Sequence, residues 1–455
     1  MGFARPSKWL ARTARLALFA AGDFGFNLYW QSIMLFLLFY YTESLHLGVA
    51  TAAIAYSIGS VWDGIVSLGV GVAIDRARHT RPHRLLVLYG ALPLGIAFVL
   101  AYTPLALGPR WTSVAVLSAH LLLRTTYAVV NVPYLAMSSR ITLDSGERAL
   151  VAGMRMLFGT AAAVVVAVGT RPLGRWFTGS AVGASLYWGA AVAFAAIATT
   201  ILVIVALTYR EADNIKAPVA PLVRPRAHLA KALAANRAFV TLNAAMMAMI
   251  VGNTVLSKGI LYYYKYFLHN EAAGTHALAS IGVTGAIVVP FWVWASRRFG
   301  TRILWIGAGS LCTFGIAAFA ALHVQSVFAM QAFLLAVQTM VIGMNFVFWA
   351  MLPDTIEFGE HATGQRVEGL TFGVAALLQR VAIGIATLFL GFGFGASGYV
   401  ADVAQTDATL SGMRLTMIAV PLVFFGAAAA IMLINPLSRG AHAAIVRDLN
   451  LRRAQ

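Results

Sequence analysis

The sequence has a single cysteine, Cys312, and only 16 acidic residues in a chain of 455. One thiol excludes an internal disulfide framework and any site built from several thiolates. Charge of either sign is scarce: Asp, Glu, Lys and Arg together make up 11% of the chain, against about 25% in an ordinary soluble domain. Long polar stretches are scarce too, which leaves little room for a separate catalytic or regulatory domain. What fills the chain instead is apolar, with 60% of residues hydrophobic where about 45–50% is usual. A spanning helix needs roughly 20 apolar residues, so about a dozen such segments would account for most of this length. The composition therefore predicts an all-α integral membrane protein.

Apolar runs bounded by charges, proline or glycine number twelve, near 16–42, 49–74, 85–103, 111–135, 150–171, 183–208, 238–267, 276–296, 303–322, 326–352, 369–395 and 413–434. The first is too long for the apolar core of a cleaved signal and is expected to stay as an anchor. Of the 33 Lys and Arg, 24 fall in loops and tails on one side, 4 on the other and 5 within spans. The basic side is the cytoplasmic one, which places both termini in the cytoplasm. The same sorting reads the net charge of +17 as loop charge and not as a nucleic-acid footprint. The longest polar stretch, 209–237, carries Pro218, Pro221 and Pro225 and divides the spans six and six. The expected organisation is a six-helix bundle over 1–208, a cytoplasmic linker over 209–237, a second six-helix bundle over 238–434 and a cytoplasmic tail over 435–455. The tail reads as a helix lying on anionic headgroups. Each half has a basic turn after its second span, "GVAIDRARHTRPHR" and "WASRRFGTRI". Such corresponding halves suggest a transporter built from repeats, with its site near the membrane midplane where the repeats meet.

The charges inside spans are few. Asp23 and Asp63 are the acids, Arg124, Arg155, Lys258 and Arg380 the bases, and Lys265 sits near a span end where it can snorkel. Each central charge costs about 2.5–3.5 kcal/mol on insertion scales, so six of them are there for substrate, for a coupling ion or for interhelical ion pairs that fix packing. Asn27 lies four residues after Asp23, on the same helical face. Asp63 lies among small residues that allow close helix approach. His120, Arg124 and Asn131 share one face of the fourth span, and Pro133 disfavours helical geometry at Val132, which would loosen the backbone there. His120 is read more readily as a satisfied core histidine than as a proton relay. The seventh span offers Asn253, Ser257 and Lys258, then "LYYYKYF", whose tyrosines suit an interfacial belt or a stacking surface for a sugar. The segment 352–369 reads as a cytoplasmic loop. Its Asp354, Glu357, Arg366 and Glu368 could form an ionic latch closing the inward face, or could simply be solvated. The spans hold no His/Asp metal cluster and no Ser/His/Asp arrangement, and "GFGFGASG" ends a span where a phosphate loop would need a strand before it. No catalytic residue, metal or cofactor is expected.

Six strings lie in order along the chain: "GDFGFNLYWQSIMLFLLFYYTE", "WDGIVSLGVG", "NVPYLAMSSRITLDSGERA", "LYYYKYF", "RILWIGAG" and "DTIEFGEHATGQRVEG". Together they resemble the glycoside–pentoside–hexuronide:cation symporter family, the melibiose-permease branch of the major facilitator superfamily. The resemblance implies that superfamily's fold of twelve transmembrane helices in two halves. It also implies uptake of sugars by alternating access, coupled to sodium, lithium or protons. By the resemblance, Asn27 and Asn131 stand where melibiose carriers have sugar-binding carboxylates. Arg155 matches their sugar-binding arginine, Arg380 a lysine near both sites, and Asp63 the first of two cation-site aspartates. Ser67 replaces the second of those aspartates and Val66 a neighbouring asparagine, while Leu135 and Asn345 replace tryptophans.

A dehydrated hard cation needs several oxygen ligands, so Na+ coupling is disfavoured at Asp63 and H+ coupling through Asp63 or Asp23, or none, is expected. Burial favours a neutral carboxyl and suits a proton carrier, whereas an adjacent Arg124 or Arg380 favours the charged form. The substrate-binding set is Asp23, Asn27, Arg124, Asn131, Arg155, Asn345 and Arg380. The expected substrate is a saccharide or glycoside, and keeping arginines where acids have become amides favours an anionic, uronide-like one. A lipid or lysolipid carrier, as animal relatives of the family are, and an uncoupled uniporter are the alternatives. Arginine and alanine abundance suggests a GC-rich bacterium, hence a monomeric protein of the inner membrane, with the bilayer and a small solute as its partners and no nucleic acid.

Overall fold

In hydrocarbon every backbone N–H and C=O must find its partner within its own segment, so apolar runs of this length fold as helices. The computed structural model describes residues 6–76, 83–104, 108–138, 141–142, 144–180, 182–210, 231, 233–322, 326–363, 369–438 and 440–454, and the regular elements among them are helical. The chain divides into two compact units, Met1–Val219 and Ala220–Gln455. That division falls inside the expected linker.

The first unit contains α1 (Pro6–Ala20), α2 (Gly22–Ser32), α3 (Val49–Arg76), α4 (His83–Ala101), α5 (Pro109–Ser138), α6 (Ser145–Thr178) and α7 (Ala184–Thr208). The second contains α8 (Arg237–Tyr266), α9 (Glu271–Phe299), α10 (Thr301–Ala321), α11 (Val327–Thr363), α12 (Gly369–Ala396), α13 (Asp407–Leu433) and α14 (Ala441–Ala454). Helix starts follow the capping chemistry of the sequence. The Asp144 carboxylate accepts from the Glu147 N–H at 2.8 Å, Asn236 from Phe239 at 3.0 Å and Thr406 from Thr409 at 3.2 Å.

Among the described residues ten helices are long and apolar enough to cross a membrane, and α9 makes eleven if its two bent parts count as one. The twelfth expected span, 16–42, is not one uninterrupted helix. It is divided among α1, α2 and two π-helical segments, Ile33–Leu37 and Tyr40–Ser44. Such wide turns shift the faces that follow them and often mark functional sites. The 42° bend of α9 falls between Gly285 and Ile287. Its cause is Pro290, whose ring meets the carbonyl four residues back and whose nitrogen cannot donate to it.

Three expectations are corrected here. Helix α5 runs through Pro133 without a break, because one missing rung in 30 residues is held by α3 and α4 packed along it. The segment 352–369 is not a loop from its start, since α11 continues to Thr363 and carries Asp354 and Glu357 on helix. Residues 364–368, with Arg366 and Glu368, lie outside the described residues. The tyrosines of "LYYYKYF" form neither a belt nor an open platform. Tyr262, Tyr263, Tyr264 and Tyr266 are buried, Tyr262 edge-on to Phe394 at 5.3 Å and Tyr263 stacked on Phe267 at 4.7 Å. Lys265, at the end of the same helix, reaches Asp402 at 2.8 Å.

In the first unit α5 packs on α3 and α4, α7 on α4 and α6, and α2 on α6 and α7. In the second, α13 packs on α8 and α10, and α11 on α8, α9 and α10, around Trp305, Met344, Phe348 and Phe425. Helix α2 carries Asp23, which meets Tyr134 of α5 and Arg155 of α6.

Candidate functional site

Two polar clusters lie in the first unit. The first is centred on Asp23. The guanidinium of Arg155, on α6, donates through Nε to Asp23 Oδ2 at 2.5 Å and through Nη2 to Oδ1 at 3.2 Å, a two-pronged pair. Tyr134, on α5, donates its hydroxyl to the same Oδ2 at 2.7 Å and places its ring 5.6 Å from the guanidinium carbon. Asn27, one turn along α2, donates to the Asp23 carbonyl at 2.8 Å, and Gln31 approaches Asn27 at 3.5 Å. The side chains of Asp23 and Arg155 remain 16% and 21% exposed, so the pair is not sealed inside the bundle. A carboxylate, a guanidinium, a phenol and an amide on one partly exposed patch can bind vicinal hydroxyls, which both donate and accept.

The motif "GDFGFN" acquires a physical reason from this geometry. A Cβ on Gly22 would lie 2.6 Å from the Tyr134 ring, so only glycine lets that ring reach Asp23. Tyr134 was not among the residues singled out from sequence. Its only signal is its place after Pro133 in a polar-faced span, because the partner is 111 residues away.

The charges of the second cluster are wholly buried. Asp63 and Arg124 are 0% and 1% exposed, with Arg124 Nη1 3.7 Å from Asp63 Oδ2. Arg124 Nε donates to His120 Nε2 at 3.1 Å, which leaves the ring proton on Nδ1, 3.4 Å from the Tyr41 hydroxyl. Trp30 and Tyr56 present their rings to the guanidinium at 5.1 and 5.7 Å. Gly59 makes the room, since a Cβ there would stand 2.7 Å from the His120 ring. Gly59→Val is therefore expected to lower stability by about 1–3 kcal/mol through overpacking. Thermal unfolding in detergent measures it, and an unchanged melting temperature would refute the tight fit.

The expected substrate set is thus split. Asp23, Asn27 and Arg155 are brought together, whereas Arg124 is sealed away with Asp63. Asn131 is half-buried on α5, one turn before Tyr134. In the second unit Arg380 is half-buried on α12 and Asn345 is exposed on α11. The second unit adds a pair that sequence inspection missed in part: Gln338 donates to Asn253 at 2.9 Å. Lys258 is buried on the same helix as Asn253. Asp354 and Glu357 face a histidine of the tail helix, His442 Nε2 being 2.5 Å from Glu357 and 3.5 Å from Asp354. His361, further along α11, meets Asp448 at 2.8 Å. The described acids of the expected latch are thus held by α14 within their own unit. Among the described residues no group of three or more His, Cys, Asp or Glu is placed to hold a metal ion.

Comparison with known proteins bears on this arrangement. A family model described as MFS/sugar transport protein matches residues 18–439. The isoprimeverose transporter of Lactiplantibacillus pentosus is 25% identical over 433 residues, 91% of this chain and 87% of that protein. The glucuronide carrier protein homolog of Escherichia coli (strain K12) is 25% identical over 448 residues, 96% of this chain and 95% of that one. A bacterial homolog of the human lysosomal transporter Spinster, in an inward-facing and unoccupied conformation, superimposes with a TM-score of 0.66 at 14% identity. It covers 98% of this chain and 99% of its own, a likeness of fold.

Proposed function

The chain belongs to the MFS/sugar transport protein family, a family of membrane transporters and not of enzymes, and from that premise we propose that it carries a saccharide or glycoside across the bacterial inner membrane by alternating access. In this reading it works as a monomer with both termini cytoplasmic. The observation that supports it is the partly exposed Asp23–Arg155 pair with Tyr134 and Asn27 around it. A sugar's vicinal hydroxyls donate to the carboxylate and accept from the guanidinium, and neither charge needs to leave its partner. Asn131, one turn before Tyr134 on α5, completes the proposed contact set within this unit.

Because Arg155 is already held by Asp23, a neutral polyol enters without breaking an ion pair. An anionic, uronide-like substrate would have to compete with the Asp23 carboxylate for the same fork. The second reading is favoured by the name of the glucuronide carrier homolog, and by Asn27 and Asn131 leaving the site no further acid. Coupling is to protons through Asp23 or Asp63, or is absent. Sodium is disfavoured because Ser67, one turn after Asp63, offers a single hydroxyl where a second carboxylate would add oxygen ligands, and because Arg124 already stands against the Asp63 charge.

The test is uptake of labelled methyl glycosides and methyl uronides into proteoliposomes under imposed proton or sodium gradients. Uptake of a neutral glycoside that ignores sodium is the expected result. Uptake driven by sodium would overturn the coupling assignment, and a response to lysolipids with none to saccharides would overturn the substrate class.

A further inference from the structure

Asp354, Glu357 and Glu360 recur every third residue at the C-terminal end of α11, where the helix dipole is negative and neighbouring like charges repel. A cation is favourable there, and α14, which packs on α11, brings one. His442 Nε2 lies 2.5 Å from Glu357 and 3.5 Å from Asp354. His361, one residue after Glu360, meets Asp448 of α14 at 2.8 Å. The contacts are crossed, with the acid on α11 in one and on α14 in the other. These five side chains are 28–43% exposed, so water can exchange protons with them. Arg447, beside Asp448, is exposed. The root of the tail is held without charge. Asn435, buried, donates to the Ala238 carbonyl of α8 at 3.2 Å and to Thr241 Oγ1 at 2.9 Å, and accepts from the Leu437 N–H at 2.9 Å. Gly440, at φ +90°, then turns the chain into α14. At the same end Asn236, which caps α8, donates to the Thr355 carbonyl of α11 at 2.7 Å, and Arg237 next to it is exposed. Neutral hydrogen bonds thus fix the root, and histidine–carboxylate contacts fix the helix that follows it.

We propose that α14 is a proton-sensitive strap, fastened to the end of α11 by His442 and His361 when their rings are protonated and loosened when they are not. A neutral imidazole offers one N–H to the two carboxylates at His442, whereas an imidazolium offers that N–H and a positive charge. Histidine ordinarily changes charge at about pH 6.5 and carboxylic acids at about pH 4. Between those values both contacts join opposite charges and the strap is tight. As pH rises through the histidine range the positive charges go, the repulsion among the α11 acids is no longer offset, and α14 loosens about its root at Asn435. Proton-driven changes of this kind at an interface need only local charge and an element free to leave. The inference goes beyond the proposed function and holds whatever the substrate is. Only the compartment whose pH the strap follows rests on the cytoplasmic placement of the termini.

The experiment is hydrogen–deuterium exchange of the purified full-length protein in detergent, without substrate, at about pH 6 and about pH 8. Each amide is referred to its intrinsic exchange rate at that pH, and the readout is protection over residues 441–454. Wild-type α14 is expected to be several-fold better protected at the lower pH, with α8 and α10 as unchanged controls. His361→Gln/His442→Gln keeps hydrogen-bonding side chains that cannot take the charge, and is expected to be equally protected at both. Asp354→Asn/Glu357→Gln keeps both histidines and is expected to lose most of the dependence. Equal protection of wild-type α14 at the two values, or better protection at the higher one, would overturn the proposal. A His361→Gln/His442→Gln variant that keeps the wild-type dependence would overturn it as well. Should one variant fail to accumulate, the other gives the same reading against wild type. Uptake plays no part in the measurement, so the strap and the saccharide assignment fail separately.

Discussion

Asp63→Asn is expected to be among the most destabilising single substitutions in the first unit. The aspartate and Arg124 are both out of contact with solvent, so neutralising the aspartate leaves the buried guanidinium without the carboxylate beside it. Breaking a buried pair in this way costs about 3–5 kcal/mol, whereas removing both charges together is often close to neutral. The contacts that survive, His120 Nε2 and the faces of Trp30 and Tyr56, carry no formal negative charge and recover only part of the loss. Melting temperature and yield of folded protein should fall steeply in Asp63→Asn and recover most of the way in Asp63→Asn/Arg124→Gln. A single variant as stable as wild type would mean that the two charges are not coupled. A double variant worse than the single would mean that their contribution is shape and not charge.

Arg155→Ala is expected to cost the most in substrate handling. It removes both prongs that hold Asp23 and the cation beside Tyr134, yet the site is partly open, so the fold should tolerate the loss better than at Asp63. A sugar hydroxyl would use the donors of the guanidinium that Asp23 leaves open, and each hydrogen bond to a charged group is worth about 1.5–3 kcal/mol, so losing one or two predicts a drop in substrate affinity of roughly ten- to a hundredfold. Arg155→Lys should behave almost as badly, because a single ammonium cannot reproduce a two-pronged contact. Tyr134→Phe removes only the 2.7 Å hydrogen bond and should cost about tenfold. The measurement is saccharide binding by calorimetry, with melting temperature as the control for folding. Full affinity in Arg155→Ala would remove this cluster from the substrate path. Equal loss in Tyr134→Phe and Arg155→Ala would point to a change of shape in place of loss of charge.

Much of this arrangement can be read along the chain, because it depends on local properties. Positions of spans follow from apolar runs, and the helices agree with the runs to within a few residues at most boundaries. The departures occur where a local rule met a longer-range constraint. Pro133 should have loosened α5, but packing from α3 and α4 holds the helix. The acids after residue 352 looked like a loop, yet α11 extends through Pro353 and its carboxylates meet His442 and its neighbours on α14. The tyrosines of α8 have an amphipathic composition that suits an interface, but they are consumed in aromatic packing.

By itself the sequence determined the class of the protein, its helical spans and the small number of charges that hydrocarbon must tolerate. Burial of a charge is so costly that mere presence in an apolar run marks Asp23, Asp63, Arg124 and Arg155 as significant. Only the tertiary structure decided who pairs with whom. Asp23 takes Arg155 from 132 positions away and Tyr134 from 111, and the choice between Arg124 and Arg380 for Asp63 was open until α3 and α5 were seen side by side. Such pairings depend on which faces the packed helices turn to one another, a property of contacts between distant segments that no local periodicity encodes. The same packing separates the partly exposed Asp23–Arg155 pair from the sealed Asp63–Arg124 pair.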